Sequence, residues 1–257
     1  MAKLLLFLLP AILGLVIPRS AAAVGTNYLL SGETLNKNDH LRNGDFDLVM
    51  QEDCNAVMYN GNWQSNTANK GRDCKLTLTD RGELLIKNGA GSTVFSSGSQ
   101  SVRGNYALVV RPADGRLVIY GPSVFEINPW VPGLNSLRHP DIPITNNMLF
   151  SGQVLYGDGM LVARNHRLVM QGDCNLVLYG GKFGWQSNTH GNGEHCFVRL
   201  NHKGELVFKD DDFQTIWSSR SSSTKQGDYA FILQDNGFGV IYGPAIWETS
   251  SKRAIAA

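Results

Sequence analysis

Residues Leu48–Tyr59 read LVMQEDCNAVMY, and the stretch returns as LVMQGDCNLVLY at Leu168–Tyr179. Both copies set Gln, Asp, Asn, Val and Tyr on alternate residues, with a cysteine and apolar residues between. In an extended chain, residues two apart share a face. Glu52, Cys54, Ala56 and Met58 would then face inward, as would Gly172, Cys174, Leu176 and Leu178. Gln51, Asp53, Asn55, Val57 and Tyr59, with Gln171, Asp173, Asn175, Val177 and Tyr179, would form the other face. Asp and Asn are poor strand residues, so their place in mid-strand costs stability and points to a use. The face offers a carboxylate acceptor, two amides that donate and accept, a phenol and one methyl-bearing contact. That set complements a hexose, whose hydroxyls donate and accept beside small C–H patches.

Working outward, the two halves align over almost everything that follows. NYLLSGETL at Asn27 answers NMLFSGQVL at Asn147, WQSNT at Trp63 answers WQSNT at Trp185, and YGPSVFE at Tyr120 answers YGPAIWE at Tyr242. The segment between them, with Pro129, Pro132, Pro140 and Pro143, reads as a linker. Each half carries a threefold period marked by aromatics, Trp63, Phe95 and Phe125, then Trp185, Trp217 and Trp247, with spacings of 32 and 30 residues in both. Short alternating runs with frequent glycines predict an all-β chain, in which three sheets send one aromatic each to a shared axis.

The 257 residues carry a formal net charge of +1, which argues against nucleic acid or an anionic membrane surface as the main partner. Residues 1–23 read as a signal peptide: Lys3, the apolar run Leu4–Ile17, and a small-residue cleavage site after Ala23. A membrane anchor is the alternative, although the run is short for a span and contains Pro10. Secretion favours disulfides, and the repeat favours the symmetric pairing Cys54–Cys74 and Cys174–Cys196. Each would contribute about 3 kcal/mol in the chain-entropy model. A zinc site is the alternative, but the cysteine spacing lacks close ligand pairs. No metal or cofactor is expected. Nor is catalysis, since a glycosidase needs two opposed carboxylates and each polar stretch has one acid facing the site. Asp210–Asp212 read as a solvated turn.

The pattern Gln-x-Asp-x-Asn-x-Val-x-Tyr resembles the signature of the bulb-type (monocot) mannose-binding lectins, and its tandem occurrence resembles the two-domain lectins of the arum family. The resemblance implies two tandem β-prism II domains, 24–130 and 142–249, each of three four-stranded antiparallel sheets with pseudo-threefold symmetry. It implies metal-free binding of mannose or mannose-containing N-glycans. Asp53 and Asn55 would hold the axial 2-hydroxyl, Gln51 the 3-hydroxyl and Tyr59 the 4-hydroxyl, with Val57 against the ring; Asp173, Asn175, Gln171, Tyr179 and Val177 would repeat these roles. It further implies a processed linker at 131–141, a trimmed tail at 250–257, C-terminal strand exchange, and a homo- or heterodimer or tetramer that agglutinates by multivalency. A vacuolar or extracellular location and a role in defence or storage follow. A storage or taste-active relative with little sugar binding is the alternative.

The middle sheets depart from the pattern, with Thr79, Arg81, Glu83, Leu85 and Lys87, then Asn201, Lys203, Glu205, Val207 and Lys209. The third sheets keep part of it, with Pro112, Asp114, Arg116, Val118 and Tyr120, then Gln234, Asn236, Phe238, Val240 and Tyr242. Two working sites are therefore expected, one per half.

Overall fold

The computed structural model describes residues 27–127, 146–180 and 184–249. The signal segment, the 131–141 linker and the 250–257 tail lie outside the described residues. The first half forms β1 (Tyr28–Leu30), β2 (Thr34–Leu35), β3 (His40–Asn43), β4 (Phe46–Met50), β5 (Ala56–Tyr59), β6 (Lys75–Leu78), β7 (Leu84–Lys87), β8 (Thr93–Ser96), β9 (Ala107–Val110), β10 (Leu117–Tyr120) and β11 (Ser123–Ile127). The second forms β12 (Met148–Phe150), β13 (Val154–Tyr156), β14 (Met160–Ala163), β15 (His166–Met170), β16 (Leu176–Tyr179), β17 (Trp185–Gln186), β18 (Phe197–Leu200), β19 (Leu206–Lys209), β20 (Thr215–Ser218), β21 (Ala230–Leu233), β22 (Gly239–Tyr242) and β23 (Ala245–Glu248).

These strands make six antiparallel sheets, three around each of two cores, a pair of β-prisms. Five sheets have four strands. The sixth, β3-β4-β5, has three, and an isolated bridge between Val57 and Gln64 stands where β17 completes its counterpart β14-β15-β16-β17. That bridge holds the fourth place in the register β17 takes, where Val177 lies opposite Gln186.

The third sheets are shared between the halves. β23 pairs with β10, setting Glu248 opposite Val118 and Trp247 opposite Ile119. Reciprocally, β11 pairs with β22, setting Phe125 opposite Ile241 and Glu126 opposite Val240. Thr249 locks the first junction, its N–H donating to the Leu117 carbonyl at 2.9 Å and its Oγ1 accepting from the Leu117 N–H at 3.1 Å.

The exchange reassigns the aromatics. Trp63 meets Phe95 at a 5.8 Å centroid separation and Trp247, not Phe125, at 6.5 Å. Trp217 meets Trp185 at 5.9 Å and Phe125 at 6.4 Å. All four contacts are edge-to-face, the geometry the ring quadrupoles favour. The threefold spacing marks three aromatics per core, but the third in each comes from the other half.

Around these rings lie the inward residues of alternating strands, among them Leu48, Met50, Ile86 and Leu108 in one core and Leu168, Met170, Phe208 and Phe231 in the other, all buried. Each such side chain stabilises the fold by about 1.5–3 kcal/mol. A third cluster seals the seam, where outward residues Tyr28, Val109, Val118 and Tyr120 meet Met148, Ile232, Val240 and Tyr242. At its edge Asn27 Nδ2 donates to Asn147 Oδ1 at 2.7 Å, joining equivalent positions of the two repeats.

Both disulfides form as the repeat suggested, Cys54–Cys74 and Cys174–Cys196.

Candidate functional site

The polar stretch is a hairpin, not one continuous strand. β4 ends at Met50, β5 begins at Ala56, and Gln51–Asn55 is the loop joining them. The Gln51 N–H donates to the Asn55 carbonyl at 2.9 Å, and the Cys54 N–H to the Gln51 carbonyl at 3.2 Å. Cys54 takes a positive φ of 74°, and Asp53 Oδ1 accepts the Asn55 N–H at 2.9 Å. Asp and Asn readily form such local side-chain-to-backbone turns, so they sit where their conformational preference is satisfied. The mid-strand cost inferred from the sequence is not incurred. The turn also takes Glu52 off the inner face: it is exposed and paired with Lys37 at 2.5 Å.

Within this loop Asn55 is only 6% exposed and is held through both atoms of its amide. Its Oδ1 accepts from Ser65 Oγ at 3.0 Å and from the Thr67 N–H at 3.1 Å, while its Nδ2 donates to Gln64 Oε1 at 3.0 Å. Ser65 and Thr67 are themselves held, 2.6 Å from each other, with Thr67 Oγ1 donating to the Cys54 carbonyl at 2.6 Å. Among the described residues, one Nδ2 hydrogen of Asn55 and the second carboxylate oxygen of Asp53 have no partner and remain for a ligand. A donor and an acceptor side by side on a rigid loop match one hydroxyl, which both donates and accepts. Across the strand pair Gln51 Nε2 donates to Tyr59 Oη at 2.7 Å, which leaves the phenol proton free to donate onward. Val57 is half-buried between the two pairs, and Tyr59 is 48% exposed.

The second half repeats the network. Asn175, again 6% exposed, accepts from Ser187 Oγ at 3.0 Å and the Thr189 N–H at 3.2 Å and donates to Gln186 at 3.1 Å. Asp173 Oδ1 accepts the Asn175 N–H at 3.0 Å, and Gln171 donates to Tyr179 at 2.8 Å. An open cavity of about 390 Å³ lies here, lined by Asp173, Asn175, Gln186, Asn188 and His190. Val177, only 3% exposed, offers less apolar surface than Val57. All ten residues singled out from the sequence thus fall into two constellations of five. The reading missed their supports, Gln64, Ser65 and Thr67 with Gln186, Ser187 and Thr189. The signal was present in the unaltered repetition of WQSNT.

The middle sheets keep the scaffold and lose the chemistry. Ser97 and Ser99 stand 2.7 Å apart as Ser65 and Thr67 do, and Ser99 donates to the Gly82 carbonyl at 2.8 Å. In the asparagine's place Glu83 accepts from Ser96 at 2.6 Å and Gln100 at 3.0 Å. Glu205 likewise accepts from Ser218. A carboxylate has no hydrogen to give a sugar hydroxyl, and Arg81 and Lys203 replace the aspartate acceptor.

The third sheets are closed differently. Val118, Tyr120, Val240 and Tyr242 are buried in the seam. Arg116 fills the asparagine position of the first, pairing with Asp114 at 3.2 Å and Glu248 at 2.9 Å. The adjoining Arg111 holds the Asp114 carboxyl below its usual range through a direct hydrogen bond. In the second, Gln234 Nε2 still donates to Tyr242 Oη at 2.7 Å, but the pair is buried beside Phe238 at a cavity of about 140 Å³.

Asp210–Asp212 fall between β19 and β20, as the turn reading expected, and His195 Nδ1 lies 3.0 Å from Asp211.

No protein-family model matches the chain. Mannose-specific lectin 1 of Remusatia vivipara is 80% identical over 257 residues, covering 100% of both chains. Mannose-specific lectin 2 of Colocasia esculenta is 80% identical over 256 residues, covering 100% of this chain and 97% of the relative. The chain belongs to the mannose-specific lectins of the bulb type. Within that family the likeness reaches Crocus vernus, whose mannose-specific lectin 3 is 41% identical over 88% of this chain and 99% of its own. The solved structure of a two-domain, fetuin-binding agglutinin from Scilla campanulata superposes with a TM-score of 0.77 at 30% identity, covering 87% of this chain and 100% of that one. The tandem arrangement is thus shared with a bulb-type lectin far removed in sequence.

Proposed function

We propose that this bulb-type lectin binds mannose and mannose-containing glycans at two sites, Gln51–Tyr59 and Gln171–Tyr179, and has no catalytic step. The observation that carries this reading is the duplicated pair of Asp and Asn, each held by its turn so that one acceptor and one donor face outward beside a Gln–Tyr pair. An axial 2-hydroxyl fits between Asp53 and Asn55, or Asp173 and Asn175. Gln51 and Gln171 take the 3-hydroxyl, Tyr59 and Tyr179 the 4-hydroxyl, and Val57 and Val177 meet the ring carbons. Protein side chains alone orient these groups, so binding is independent of metal.

A shallow site of this kind binds a single sugar at about millimolar strength, roughly −4 kcal/mol. Avidity from several sites on one particle then carries the useful affinity. We therefore propose agglutination of glycan-bearing surfaces by assemblies of the chain, cleaved in the linker and joined by the exchanged strands. Synthesis through the secretory pathway, a vacuolar or extracellular destination, and a role in defence or storage complete the reading.

The test is calorimetric titration with methyl α-mannoside, with and without chelator, on wild type, Asn55→Ala, Asn175→Ala and the double variant. Two sites per chain are expected, one lost in each single variant and both in the double. Chelator should leave all of this unchanged. A folded wild type that binds no mannoside would leave only the storage reading.

A further inference from the structure

We propose that the second site is extended and takes a second pyranose of an α-linked mannoside, whereas the first takes one sugar residue; this rests on the carbohydrate-binding reading above. The WQSNT segments of the two halves are identical up to the residue that follows, which is Ala68 in the first and His190 in the second. His190 is exposed and lines the same open cavity as Asp173, Asn175 and Asn188. Its imidazole adds an aromatic face and ring nitrogens just past the Asp–Asn pair. The open cavity, about 390 Å³, runs from the Asp–Asn pair to Asn188 and His190, so polar and aromatic groups continue past the first ring.

The binding loops differ in the same direction. In the first half the loop is fenced by the Lys37–Glu52 ion pair. Gly157 and Gly172 occupy those two places in the second, where the ion pair is missing and only the short Asp158 carboxylate lies beside Gly172. The second site also has less apolar ring contact, with Val177 at 3% exposure. A site poorer in contacts to one ring and richer in polar and aromatic groups beside it gains more from a second ring. A neutral disaccharide suits this surface, since hydroxyls can use the Asn188 amide and a pyranose C–H face can lie on the imidazole.

The second site is isolated with Asn55→Ala and the first with Asn175→Ala, and each is titrated with methyl α-mannoside and an α-linked mannobiose. The affinity ratio of mannobiose to monosaccharide should be about tenfold higher at the second site. Adding His190→Ala should collapse that ratio to that of the first site, and adding Ala68→His to the first should raise it. Equal ratios at the two sites, or a ratio unmoved by His190→Ala while the monosaccharide still binds, overturn the proposal alone. Failure of both sugars to bind the wild type overturns the carbohydrate reading with it.

Discussion

The hairpin loop Gln51–Asn55 and the loop Thr79–Glu83 one sheet away have the same backbone and opposite prospects. Both close with the first N–H donating to the carbonyl four residues on, at 2.9 Å in each. Both hold their fourth residue at positive φ, Cys54 at 74° and Gly82 at 71°. Both rest on a pair of hydroxyls, Ser65 with Thr67 and Ser97 with Ser99. They differ in the side chains on the outer face and in the disulfide. The scaffold is therefore common property of the prism, and sugar chemistry is a small set of side chains mounted on it.

The strongest way to break this comparison is to graft. Thr79→Gln, Arg81→Asp, Glu83→Asn, Leu85→Val and Lys87→Tyr, with Ser96→Gln, should convert the middle loop into a third site. Calorimetry should show one additional millimolar site, a gain of about 4 kcal/mol from nothing. An unchanged stoichiometry in a folded variant would mean that the disulfide is part of the site. The next largest effect comes from removing that disulfide. Cys54→Gly with Cys74→Ser should cost about 3 kcal/mol by chemical denaturation. It should leave mannoside binding measurable where the protein is folded, because glycine holds the same turn at position 82.

A smaller, sharper test compares the two ladders. Ser65→Ala and Ser97→Ala each remove a hydroxyl that donates and accepts in a covered position, at a cost of about 1–2 kcal/mol in stability. Only Ser65→Ala should weaken binding, since only it orients an asparagine.

The smallest effect concerns pH. Burial holds the His166 imidazole below its ordinary value, and Phe46 occupies its place in the first half. The unfolded chain takes up that proton first, near pH 6.5. Stability from this residue is thus full above that pH and declines as pH falls through the lowered folded value. His166→Phe should flatten that decline in thermal melts between pH 7 and 5.

Much of this was legible in the residues. Two repeats with matched cysteines favoured the pairing within each half, Cys54–Cys74 and Cys174–Cys196, and that pairing forms. The aromatic spacing announced three sheets per core. The glycines of the sequences around Gly82 and Gly115 also marked turns, but the same position in the polar stretch is held by a cysteine. That substitution concealed the loop, and Asp53 and Asn55 were read as costly strand residues when they are ordinary turn residues. The identity of the third aromatic was not legible for a different reason. VFE and IWE are interchangeable on either sheet, so nothing local tells Phe125 from Trp247. The choice is made by the route of the chain.

That route has a consequence in time. The edge offered by β10, ending at Tyr120, waits for β23, which begins at Ala245. At roughly 5–20 residues per second of synthesis, the wait is on the order of ten seconds. Throughout it β11, three residues away, is the nearest strand able to cover that edge. A nascent first half that closes on its own β11 must reopen to release it. The ribosome therefore delivers the strands in an order the finished molecule does not keep.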